Sequence, residues 1–174
     1  MSKIILETER LLIREFNEAD EDILFKLNSD PDVMRYVGPG QVQIREQVQA
    51  GLGRLAKLYQ DHPGYGSWAT FDKELDEFVG AVLLIPYPET NEVEVGYRFN
   101  KEHWGRGYAT ESTKALIQYG FEKLGLKRII AIAYPENKPS IHVMKKCGMR
   151  DEGIIHNDQQ DIDVVYYTIE PSQG

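Results

Sequence analysis

The sequence predicts an α+β fold: a mixed, mostly antiparallel sheet flanked by helices, in a single domain over residues 1–174. Three observations predict it. Apolar residues recur with period two in some runs and at helical spacing in others. The runs follow the order strand, helices, three strands, helix, strand, helix, two strands. No linker or repeat interrupts them, and 174 residues suit one ordinary hydrophobic core.

The elements follow in order. "ERLLIREF" (9–16) alternates as a first strand, with Leu11 and Ile13 in opposite phase to Leu12 and Arg14. Asn17 or Asp20 can cap a helix whose apolar face is Ile23, Leu24 and Leu27. Pro31 suits an early helical position, and that segment stops at Gly38-Pro39-Gly40. Residues 41–60 carry Ile44, Val48, Leu52, Leu55 and Leu58 at helical spacing. Three antiparallel strands follow at 66–72, 77–86 and 91–100. A strong helix over 107–125 has Ala109, Leu116, Tyr119 and Leu124 on or near one face, and Gly125 can end it. "KRIIAIAYP" (127–135) is an apolar, buried strand, and 137–149 a short helix ending at Gly148. Two strands, one of them 162–170, close the chain.

Composition narrows the function classes. No apolar run is long enough to span a bilayer, and the start lacks a secretory signal's apolar core, so a cytoplasmic protein with no membrane partner is expected. A net charge of -8 disfavours nucleic acid as a partner. It suits either solubility or the steering of a cationic amine. The single cysteine, Cys147, makes no intrachain disulfide; it reads as a small core residue rather than a nucleophile.

The chemistry concentrates in "NKEHWGRGYATES" (100–112), where Gly105-Arg106-Gly107 lies between a strand and a helix beginning near Tyr108. Free N–H groups and the dipole make a helix N-terminus a site for anions. Glycines bring backbone close to a ligand, and Arg106 adds a charge for phosphate. A plain tight turn is the competing reading. Neither the P-loop ending nor the third glycine of a dinucleotide fold is present.

With "ETERLLIREF" before this segment and "NKPSIHVMKKCGM" after it, the chain resembles the GNAT acetyltransferase superfamily, closest to the subgroup with ribosomal-protein N-terminal acetyltransferases. The superfamily's pyrophosphate signature falls on Trp104, Gly107 and Ala109, with Trp104 in place of the usual Gln or Arg. The resemblance implies acetyl-CoA as donor and no metal. It implies a sheet splayed at its central strands, with a bulge opening the cleft, for which Gly96 is the candidate site. It implies that backbone amides from Trp104 through Gly105, Arg106, Gly107, Tyr108 and Ala109 to Thr110 hold the pyrophosphate. The strand edge at Tyr97 and Phe99 then pairs with the pantetheine amides, and Asn137 meets the same arm. The acceptor is an amine, on a small molecule or a protein N-terminus.

Acetyl transfer needs a neutral amine and benefits from a proton for the leaving thiolate. Glu94 is the expected base; Glu92 shares its face, and strand alternation alone does not separate them. The resemblance puts Ser140 near the sulfur. The place where many relatives carry an acidic Tyr is filled here by Met144. Ser140 as the donor, water, or no acid at all are the options left. Asn137 and Ser140 also read as a helix cap, and His142 as a surface histidine. His103 shapes the turn. Tyr36, Trp68 and Tyr167 are either acceptor-cleft or core aromatics, with core packing the default. A catalytically silent acyl-CoA sensor on the same fold is the alternative to an enzyme, and either a monomer or a homodimer is compatible with the sequence.

Overall fold

The computed structural model describes residues 2–172; residues 1, 173 and 174 of the expected domain lie outside the described residues. The chain opens with a hairpin, β1 (Ile4–Glu7) and β2 (Leu11–Glu15), where one strand over 9–16 is expected. The difference has a local cause. Thr8 donates its N–H to the Leu11 carbonyl at 2.8 Å and accepts the Leu11 N–H on Oγ1 at 3.0 Å, so the polar "TER" stretch turns. In β1 the register shifts between Ile4 and Leu6, and Ile4 is exposed, which erases the alternation.

Asn17 caps a short 3-10 turn (Glu18–Asp20) in a reciprocal capping box with Asp20. Asp20 also takes a two-pronged ion pair from Arg14, at 2.8 and 2.9 Å. Helix α1 (Glu21–Asn28) follows and buries Leu24 and Leu27, and α2 (Pro31–Met34) starts on an Asp30 cap with Pro31 in its first turn. Helix α3 (Arg45–Asp61) begins later than the expected 41. The Gln43 backbone and side chain are bonded to Asn28, which holds residues 41–44 out of the helix. Ile44 therefore stands at the N-cap, exposed, while Val48 and Leu52 bury as expected.

Strands β3 (Gly66–Asp72), β4 (Glu77–Pro86) and β5 (Val93–Phe99) run antiparallel. Helix α4 (Tyr108–Lys123) ends at a left-handed Gly125 (φ 66°) and leads to β6 (Ile129–Ala133). Helix α5 (Lys138–Lys146), β7 (Arg150–Asn157) and β8 (Ile162–Ile169) complete the chain. The eight-stranded order is β1-β2-β3-β4-β5-β6-β8-β7. One core cluster joins β2–β6 and β8 to α4 and α5, including Trp68, Leu84, Leu116 and Ile129. A second, with Leu24, Leu27, Val48 and Ala81, joins α1–α3 to β3 and β4.

The central pair positions the site. β5 pairs with β4 over its whole length, but it meets β6 in parallel at one bridge only, Glu94 with Ile130. The rest of that β5 edge is unpaired with β6. The expected bulge at Gly96 is absent, because the β4–β5 register is unbroken through it. Gly96 serves packing instead: a Cβ there would stand 3.3 Å from the Leu83 side chain opposite. The opening comes from divergence after one bridge.

Candidate active site

The glycine turn earns its composition through backbone conformation. Gly105 and Gly107 are left-handed, at φ 76° and 82°, a region costly to other L-residues. Gly107 is the N-cap of α4, and no side chain caps that end. The first helical bond runs from Glu111 N–H to the Gly107 carbonyl at 3.0 Å. The N–H groups of Tyr108, Ala109 and Thr110 thus have no partner among the described residues, and they sit at the positive end of a four-turn helix.

Side chains around the turn brace it. Trp104 Nε1 donates to the Phe99 carbonyl at 2.8 Å, so this carbonyl at the end of β5 is already engaged. His103 is buried, its ring centroid 6.2 Å from that of Tyr108, in keeping with a shaping role. The Tyr108 phenol points into the core and donates to Asp72 Oδ2 at 2.5 Å; only its backbone N–H is available to a ligand. Arg10 lies 4.7 Å over the Tyr108 ring and pairs with Glu111 at 2.8 Å. Arg106 is exposed on the outside of the turn rather than in the cleft.

A cleft of about 950 Å³ runs from this turn along β5 to β6 and the start of α5. It brings together Glu94, Tyr97, Phe99, Trp104, Gly105, Gly107, Tyr108, Ala109, Thr110, Asn137 and Ser140. Burial pushes the Glu94 carboxyl up to about 7, close to neutrality, where a carboxylate can both hold and release a proton. Glu92 lies outside the cleft and pairs with Arg128 at 3.4 Å. The structure thereby separates two carboxylates that alternation leaves equivalent.

Asn137 is the N-cap of α5: its Oδ1 accepts the Ser140 N–H at 3.3 Å, so its capping role is real and coexists with its place in the cleft. Ser140 neighbours the Tyr97 phenol. Burial raises the Tyr97 pKa, and the neighbouring Ser140 hydroxyl partly opposes that. Met144 is buried in the cleft wall, and His142 is exposed at its rim. Cys147 is a buried core thiol, 3.8 Å from the Thr110 carbonyl, with its pKa raised by burial. Of the three aromatics left open by sequence, Trp68 and Tyr167 are core; Tyr36 lines the cleft against Tyr134, with ring centroids 5.6 Å apart.

Two features have no sequence signal of their own. The Tyr97 side chain reaches Ser140 across the splay, a contact between residues remote in the chain. Arg98, one position on, reaches the other face of the sheet and bonds Asn28 at 2.9 Å. An alternating strand with a cation in it reads the same whether that cation faces solvent or a cleft.

The chain matches the family model described as acetyltransferase (GNAT) domain over residues 10–150. It is 34% identical over 168 residues to the uncharacterized N-acetyltransferase YnaD of Bacillus subtilis, covering 94% of this chain and 95% of that protein. It is 32% identical over 152 residues to the FsC-acetyl coenzyme A-N(2)-transacetylase of Aspergillus fumigatus, covering 83% and 64%. The crystal structure of a GNAT-family acetyltransferase from Bacillus anthracis superposes with a TM-score of 0.80 at 33% identity, over 98% of both chains. A splayed sheet with an uncapped, glycine-entered helix beside the gap thus defines an acyltransferase of recognisable class. The chain belongs to the GNAT acetyltransferases, enzymes that transfer acetyl groups.

Proposed function

We propose that this chain moves an acetyl group from acetyl-CoA to a primary amine, by direct attack within a ternary complex. The observation that carries the reading is the continuity of one cleft. The uncapped α4 N-terminus is at one end, the unpaired edge of β5 is its wall, and Glu94 stands at the far end.

The residues present fit acetyl-CoA. Three free N–H groups at a helix N-terminus suit a diphosphate. Unpaired strand groups on β5 suit a pantetheine arm, whose amides resemble peptide. When bound, acetyl-CoA supplies an acetyl thioester. Asn137, already oriented as a cap, borders the same arm.

An alkyl ammonium has a pKa near ~10, so most of it is protonated at neutral pH. Glu94, held near 7, accepts the amine proton directly or through a water. On the leaving side, Ser140 and the Tyr97 phenol form a pair able to deliver a proton to sulfur. Burial keeps that phenol protonated. Tyr97 thus takes the part that Met144 cannot.

The test is CoA release from acetyl-CoA across a panel of primary amines, with product masses confirming one acetyl addition. Tight binding of acetyl-CoA with no turnover on any amine would overturn the reading.

A further inference from the structure

Arg98 is a cation in the cleft that acetyl transfer as described does not use. Val93, Val95 and Phe99 on β5 are buried, whereas Glu94, Gly96 and Arg98 alternate onto the opposite face, toward α1 and α2. The guanidinium Nε donates to Asn28 Oδ1 at 2.9 Å. Asn28 is buried, and its own NH₂ is bonded to Gln43 Oε1 at 2.9 Å, which fixes its carbonyl toward Arg98. The two terminal guanidinium nitrogens make no hydrogen bond or ion pair among the described residues.

The other cleft cations on that side are matched: Lys101 and Arg35 both pair with Asp32, at 2.5 and 3.3 Å. Arg98 has only the neutral Asn28. Burial lowers its pKa to about 10, and no neighbouring charge offsets this. A desolvated cation without a counterion is costly, and such groups concentrate where a ligand supplies the missing charge. With Nε occupied, the Nη1 and Nη2 fork that remains matches the two oxygens of a carboxylate.

The spacing limits the ligand. Glu94 and Arg98 are about four strand steps apart, roughly 13 Å along β5 at ~3.3 Å each, and both side chains are long enough to shorten that gap. Between them Gly96 has no side chain and Leu83 forms an apolar floor. The Tyr134 hydroxyl donates to the Gly38 carbonyl at 2.8 Å and ties the loop after α2 to the end of β6. The acceptor side is thus walled and suited to a small molecule. A zwitterion also carries no net charge against the chain's -8.

We infer that the acceptor is a small amino carboxylate, whose carboxylate is held by Arg98 while its amine stands at Glu94. This rests on the acetyl-transfer reading. Matched pairs test it: 5-aminopentanoate against pentylamine, and lysine against 1,5-diaminopentane, with saturating acetyl-CoA. The wild type is expected to favour the carboxylated member of each pair by ~10–100-fold in kcat/KM, the worth of a charge-assisted fork. Arg98→Gln should raise KM for 5-aminopentanoate and bring the ratio toward one. Arg98→Lys, which keeps a cation should the neutral variant fold poorly, should retain part of the preference. Calorimetric titration of 5-aminopentanoate into the CoA-bound protein adds a readout free of turnover. Acetylation of both members without preference, or an Arg98→Gln ratio equal to wild type, would overturn the inference and leave acetyl transfer standing. Arg98-dependent binding of 5-aminopentanoate without transfer to any amine would support the anion site and sink the transfer reading.

Discussion

Replacing Glu94 by glutamine removes a charge the fold holds at a cost, and the cost has a sign that can be followed with pH. In the folded protein the carboxyl ionises at about 7, against 4.5 for an ordinary glutamate, because burial penalises the carboxylate. As pH rises, the unfolded chain loses this proton first, so folding stability falls between about 4.5 and 7 and levels off above. The full difference corresponds to about 3 kcal/mol. The carboxyl opens onto a wet cleft, and screening reduces the effect to about 1–2 kcal/mol. Glu94→Gln should therefore melt like the wild type near pH 4 and about 3–6 °C higher at pH 8. Over the same range the wild type's kcat/KM should rise with pH through about 7, as the base loses its proton. The variant should lose ~10²–10⁴ in turnover and recover part of it at high pH, where neutral amine is abundant. Thermal melts and pH–rate profiles on the same preparations check both limbs. A melting difference independent of pH, or a wild-type pH–rate profile in the variant, would refute the reasoning.

Other perturbations follow from the same geometry. Gly107→Val places a β-branched residue at φ 82° and should weaken acetyl-CoA binding at least ~10-fold by calorimetry, with a stability loss of about 1–2 kcal/mol from strain; undiminished affinity in the folded variant would remove the turn from the binding site. Asn137→Ala deletes the α5 cap and should cost about 1 kcal/mol. If Asn137 also serves the cleft, kcat/KM falls beyond what melting explains, whereas wild-type turnover with a lowered Tm returns it to capping alone. Tyr97→Phe keeps the ring packed against Phe99 and should lower kcat by ~10–100-fold. Combined with Ser140→Ala the losses should be less than additive, because the two hydroxyls act as one donor; additive losses in a double-mutant cycle would separate them.

Much of this molecule is legible from local rules. The turn before α4 needs glycine wherever φ is positive, so Gly105 and Gly107 announce it, and Gly125 and Gly148 mark helix ends by the same logic. Short apolar runs bounded by turn residues find β3 to β5, and an unbroken apolar run finds β6, because these strands are buried in the middle of the sheet. Patterning of this kind depends on a contrast between buried and exposed positions. It misses β1, whose shifted register and exposed Ile4 carry no such contrast. Helical spacing in turn starts α3 too early, because the pull of Asn28 on Gln43 is a tertiary contact. At the site, Glu94 is visible as a carboxylate on the right strand, but its separation from Glu92 depends on Arg128 taking the latter. Tyr97 and Arg98 show the remaining limit. Adjacent on β5, they face opposite sides, and their roles depend on Ser140 and Asn28, partners that only folding brings near.

The single bridge between β5 and β6 makes the sheet two plates, β1–β5 and β6–β8, sharing one seam. A chain-like ligand lying in the gap stands where a further strand would be, so it becomes part of the scaffold for as long as it stays. Helix α4 shares one core cluster with strands of both plates, so it bridges them behind the gap. The two halves of the sheet are thus joined by one backbone bridge and by a shared core, and a ligand in the gap would add to the first of these.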